Sequence, residues 1–97
     1  MSRPTLLGDD AMTAFLDSHS RWRSTGERLE CRYDIPYHEA LDVLHATRDD
    51  VHRLDHHPVC EIGYDYLRVM LWTHDRGGVT QLDVDLADAF DRAVEGE

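Results

Sequence analysis

Apolar and polar positions repeat along this chain with two different periods, and the switches between them mark the elements. After Asp9-Asp10, residues Ala11, Met12, Ala14, Phe15 and Leu16 read as the apolar part of a first helix. Either aspartate is expected to cap it, and it should stop near Ser18–Ser20. Trp22–Ser24 reads as a short strand and Thr25-Gly26 as a turn. From Arg28 to Ile35 the period is two, with Leu29, Cys31, Tyr33 and Ile35 on one face and Arg28, Glu30, Arg32 and Asp34 on the other. That is a half-buried strand of an antiparallel hairpin. Pro36 then opens a second helix at the position that tolerates proline. Tyr37, Ala40, Leu41, Leu44, Arg48, Val51 and Leu54 recur at helical spacing as its inner face, with His38, Asp42, His45, Asp49 and His52 outside. Asp55-His56-His57-Pro58 ends the helix, because the residue before a proline avoids helical angles.

A third strand is predicted over Val59–Tyr64 and a fourth over Tyr66–Thr73, where Leu67, Val69 and Leu71 alternate with Tyr66, Arg68, Met70 and Trp72. Gly77-Gly78 breaks the chain. The last helix runs from Thr80 to about Val94 and begins with Thr80-Gln81-Leu82-Asp83, a capping box in which Asp83 replaces the usual Glu. Its buried stripe is Leu82, Leu86, Ala89, Phe90 and Ala93. The order α-β-β-α-β-β-α predicts an α+β two-layer sandwich, a four-stranded antiparallel sheet with three helices on one face. Residues 1–97 form a single domain on this reading. The other sheet face, with Met70 and Trp72, and the sheet edges call for a partner chain. A homo-oligomer is expected, a dimer at least as readily as a tetramer.

Composition narrows the function. Hydrophobic residues make up 41% of the chain, enough for one compact core. Acidic residues number 20 against 10 basic ones, a formal net charge of -10. Phosphate backbones and anionic membranes repel such a chain, so neither nucleic acid nor a membrane is an expected partner. Every basic residue is arginine, which rules out Schiff-base and P-loop lysine chemistry. No apolar stretch of signal-peptide length opens the sequence, and the longest aliphatic or aromatic run, Val69–Trp72, is far short of the roughly 20 residues a membrane span needs. A soluble, cytoplasmic protein is expected. Cys31 and Cys60 fall in predicted strands, outside any C-x-x-C unit, as free thiols acting as small hydrophobes.

Histidine is the anomaly, with 7 in so short a chain. His19, His38 and His45 lie on polar faces and need no function. His52 and His56, one helical turn apart, have the spacing of a zinc chelate, with His57 or His74 as a third ligand. No cysteine joins them, and adjacent histidines at a chain reversal point apart, so no metal is expected. Nucleophilic catalysis has no G-x-S-x-G elbow and no activated cysteine to support it. General acid–base chemistry fits better. His56 and His57 sit on a helix-to-strand corner and His74 ends the fourth strand, both places where a scaffold presents side chains to a cleft. Imidazole exchanges protons near neutral pH.

Asp55-His56-His57-Pro58, Tyr64, Thr73-His74-Asp75, Gly77-Gly78-Val79-Thr80, Asp83 and Leu86-Ala87 together resemble the pterin-4a-carbinolamine dehydratase family. Trp22 and the hairpin before the second helix extend the similarity. The resemblance implies an antiparallel sheet backed by three helices. It also implies dehydration of a 4a-hydroxytetrahydropterin to the quinonoid dihydropterin, a lyase reaction that recycles the tetrahydropterin with no metal or other cofactor. By the same resemblance His56, His57 and His74 are the catalytic histidines: His56 and His74 form the acid–base pair, and His57 mainly binds and orients the pterin. Asp55, Trp72, Thr73 and Asp75 line the pocket, and Asp83 joins them by orienting or charging His74 in addition to its capping role. Tyr64 packs on the sheet or touches substrate.

Two departures stand out. His52 occupies a position where family members commonly carry Glu, and Cys60 one where some carry a pocket-side Trp. The smaller Cys60 implies a roomier site for a bulkier substrate. Two other functions remain open on the same fold: a non-catalytic interaction or assembly protein, and a dehydratase repurposed for secondary metabolism.

Overall fold

The computed structural model describes residues 5–96. Residues 1–4, on which part of the N-terminal reading rests, lie outside the described residues. Helix α1 (Asp9–Ser18) leads into strands β1 (Trp22–Ser24) and β2 (Leu29–Tyr33). Helices α2 (Tyr37–Ala46) and α3 (Arg48–Leu54) follow, then β3 (Val59–Gly63) and β4 (Tyr66–Leu71). A short 3-10 turn (His74–Arg76) and helix α4 (Gln81–Glu95) complete the chain. The strands lie in the order β1-β2-β4-β3, every neighbouring pair antiparallel. The two hairpins therefore join through β2 and β4, with Cys31 opposite Val69 at the centre.

Alternation decides which face is covered. Leu29, Cys31 and Tyr33 of β2 and Leu67, Val69 and Leu71 of β4 point to one side, where they pack with Phe15, Ala40, Val43, Leu86, Ala87 and Phe90 of the helices. The sheet's other face is polar: Arg68 bridges Glu30 and Glu61, and the Arg28 guanidinium lies 4.2 Å from the Trp72 ring centroid. That stacking covers part of Trp72, which the sequence alone left wanting cover. At the far edge of the core, Asp91 accepts from Trp22 Nε1 (3.0 Å) and Tyr33 Oη (2.6 Å), pinning α4 to the first hairpin.

Four local expectations change. Neither Asp9 nor Asp10 caps α1; Gly8 holds the cap position without a side-chain bond, and both aspartates sit in the first turn. There they complement the helix dipole instead. The second helix is not continuous: Thr47 Oγ1 donates to the carbonyls of Val43 (3.0 Å) and Leu44 (3.2 Å), and this competition separates α2 from α3. Its inner face is also rotated, with Ala40, Val43 and Thr47 buried and Tyr37, Leu41 and Arg48 exposed. Finally, β4 stops at Leu71, so His74 opens the 3-10 turn instead of ending a strand.

Candidate active site

The corner after α3 is built by its termination. Asp55 adopts a left-handed conformation (φ 48°), the amide of Asp55 donates to the His52 carbonyl, and the amide of His56 donates to the Val51 carbonyl. This is a Schellman closure with aspartate where glycine is usual. It turns the chain so that His56 goes inward and His57 stays exposed, and Pro58 then starts the run into β3.

The second wall comes from the segment after β4. Thr73 pairs with Gly78 across the 3-10 turn, which Gly77 closes at φ 65°. A side chain at Gly78 would crowd Leu6, which bridges Thr80 from the N-terminal segment. Thr80 caps α4 with the reciprocal box read from the sequence: its amide donates to Asp83 Oδ2 at 2.9 Å, and its hydroxyl accepts from the Leu82 amide at 3.3 Å.

Between these walls lies a cleft of about 350 Å³, lined by Asp55, His56, His57, Trp72, Thr73, His74, Asp75 and Leu82. Of the eight site residues expected from the sequence, seven therefore come together on one cleft. The exception is Asp83, which is 0% exposed and stands behind His56. Its Oδ1 meets His56 Nε2 at 2.5 Å, and its Oδ2 accepts from Thr73 Oγ1 at 2.9 Å as well as from the Thr80 amide. The expectation that Asp83 serves His74 is thus corrected: its imidazole partner is His56, and its side chain is wholly buried.

Asp83 as a carboxylate only accepts, so this bond calls for the hydrogen on His56 Nε2 and leaves Nδ1 as the ring nitrogen open to another partner. Nδ1 has no protein partner among the described residues and is not sealed from solvent, so it is the nitrogen that can meet a ligand. Thr73 spends its hydroxyl hydrogen on Asp83. The 2.7 Å contact between the two threonine hydroxyls is then donated by Thr80. Every acceptor bond in this buried cluster has a matching donor, so His56 is held rigidly.

Other sequence expectations fall elsewhere. Tyr64 is 90% exposed at the β3–β4 turn, neither packed on the sheet nor near the cleft. Cys60 packs partly against the core opposite Val69 and does not line the cleft, so it gives no extra room there. Burial pushes the thiols up, Cys31 to about 12 and Cys60 to about 11, which leaves both un-ionised and unreactive at neutral pH. Among the described residues no three His, Cys, Asp or Glu side chains converge as metal ligands, and no helix is long and apolar enough to cross a membrane. Leu82, read only as core, and Arg28, read only as outward-facing, were missed as a cleft wall and as the support behind Trp72. Only the placement of Leu82 one residue before Asp83 hinted at the first.

A family model described as Pterin 4 alpha carbinolamine dehydratase matches residues 5–93. A Picosynechococcus relative named "Putative pterin-4-alpha-carbinolamine dehydratase" is 36% identical over 89 residues, covering 91% of this chain and 97% of its own. A Natronomonas pharaonis relative of the same name is 34% identical, covering 92% and 96%. Among solved structures, a transcriptional coactivator/pterin dehydratase from Brucella Melitensis superposes with a TM-score of 0.84 at 24% identity, over 93% of this chain and 99% of that one. The last likeness establishes the shared fold.

Proposed function

The chain belongs to the pterin 4 alpha carbinolamine dehydratase family, and from that membership we propose that it eliminates water from a 4a-hydroxytetrahydropterin. The products are the quinonoid dihydropterin and water, and a reductase acting afterwards returns the pterin to its tetrahydro form. The observation that carries this reading is the His56–Asp83 pair at the back of a cleft that also holds His57 and His74.

Elimination breaks the bond from the bridgehead carbon to its hydroxyl and removes the proton on the adjacent ring nitrogen. Hydroxide leaves poorly, so one group must protonate it while another accepts the ring proton. His56 offers Nδ1 to the cleft, with Asp83 stabilising the imidazolium that forms when this nitrogen gains a proton. His74, on the facing turn, is the complementary acid–base group. His57, exposed at the mouth, orients the ring. Trp72 supplies an apolar wall, and Asp55, Thr73 and Asp75 supply polar groups to the donor and acceptor edge of the pterin. The reading includes a cytoplasmic homodimer.

The test is the first-order loss of water from a freshly generated carbinolamine, with and without the protein. Acceleration above the spontaneous rate supports the reading; an unchanged rate removes it.

A further inference from the structure

His57 lines two depressions at once. One is the cleft; the other is a groove of about 280 Å³ beside it, lined by Arg48, Asp49, Val51, His52 and His57. Arg48 and His52 are one turn apart on α3 and share a side of that helix. A ligand seated in the cleft and extending past His57 therefore meets them next.

Among the described residues Arg48 and Arg76 are the two arginines with neither a carboxylate nor an aromatic partner, and Arg76, on the 3-10 turn with its Nε buried, lies outside this groove. With 20 acidic residues to choose from, Arg21, Arg23, Arg32, Arg53, Arg68 and Arg92 all pair with carboxylates, and Arg28 stacks on Trp72. A larger groove of about 580 Å³ on the sheet gathers four arginines, but each is already paired there or nearby. Arg48 has neither an ion pair, a side-chain hydrogen bond nor an aromatic face among the described residues. A guanidinium presents a donor fork suited to a carboxylate or phosphate. His52 and His57 add imidazole donors, against the single carboxylate of Asp49.

The geometry points to a substrate whose pterin ring carries an anionic tail, a carboxylate or a phosphate, held in this groove by Arg48 with His52. This rests on the dehydratase reading for the ring's seat in the cleft and adds the chemical class of the substituent. It also assigns Arg48 as a specificity-determining residue. A chain with a net charge of -10 repels anions at long range. A free arginine beside the cleft supplies the local attraction needed to hold one.

The experiment compares three carbinolamines alike in ring and tail length but ending in a hydroxyl, a carboxylate or a phosphate. The wild type should favour at least one anionic tail about 5- to 10-fold in kcat/KM over the neutral one. Arg48→Glu should bring that ratio to one or below. Equal kcat/KM for all three tails, or a preference that survives Arg48→Glu, overturns the inference. Which anion is preferred separates a carboxylate from a phosphate source. If no carbinolamine is turned over, the dehydratase reading fails by itself. Binding of the oxidised, unreactive pterins with the same three tails then decides the tail separately: a preference for an anion that Arg48→Glu abolishes sustains it, and equal affinities or no binding overturn it.

Discussion

Nε2 of His56 and Oδ1 of Asp83 lie 2.5 Å apart, joined across 27 positions of sequence, one at a helix's end and the other in the first turn of a different helix. Asp83 is bound on its other oxygen by Thr73 and by the amide of Thr80. The carboxylate therefore both caps α4 and fixes His56, which ties the orientation of the imidazole to the folding of the last helix.

Asp83→Asn keeps an acceptor for the α4 cap but loses the charge behind His56. Turnover should fall about 10²-fold with KM little changed, because the Asp83 side chain is wholly buried. Stability should fall as well, by about 1–3 kcal/mol, because the asparagine NH2 puts a donor where one of the buried donors now finds a carboxylate oxygen. Steady-state kinetics beside urea unfolding check both. A turnover loss no larger than the stability change explains would reduce Asp83 to a cap.

Asp55 holds a left-handed backbone that glycine adopts without cost. Asp55→Gly is expected to stabilise the fold by up to about 1 kcal/mol. If the carboxylate reads the pterin edge, the same change raises KM several-fold. Thermal unfolding and kinetics on one preparation measure the two effects. A more stable protein with unaltered KM would mean that Asp55 only shapes the corner.

Alkaline pH should weaken the fold through its buried thiols. The unfolded chain ionises cysteine from about pH 9, whereas burial holds Cys31 un-ionised to about 12 and Cys60 to about 11. Burial and the bond to Asp91 raise Tyr33 as well. The contribution of each group is whole below its unfolded pKa and disappears as pH rises toward the folded value. The slope is at most about 1.4 kcal/mol per pH unit per group. Urea unfolding at pH 7, 9 and 10.5 should show this decline, and Cys31→Ala should flatten it. Parallel slopes for both proteins would contradict the account.

The strict alternation in β2 and β4 made the sheet legible, because a period of two has only one way to face a core. The capping box made the start of α4 legible for a similar reason: Thr80 and Asp83 sit at fixed offsets. The face of α2 was not legible, since Tyr37 and Leu41 are as apolar as Val43 and only packing selects among them. Thr47 broke the helix through side-chain bonds that periodicity does not register. Seven of the eight expected site residues meet on one cleft because motif spacing marks the two walls, but spacing alone did not say which histidine Asp83 would serve. That choice follows from the left-handed turn at Asp55, a three-dimensional fact.

The central claim is that His56, held by Asp83, exchanges the proton that lets hydroxide leave. It is tested most directly by the first-order rate of carbinolamine dehydration for the wild type, His56→Ala and His74→Ala, each measured against the spontaneous reaction. The account predicts a wild-type acceleration that falls about 10²- to 10⁴-fold in both variants. Full activity in His56→Ala would contradict it.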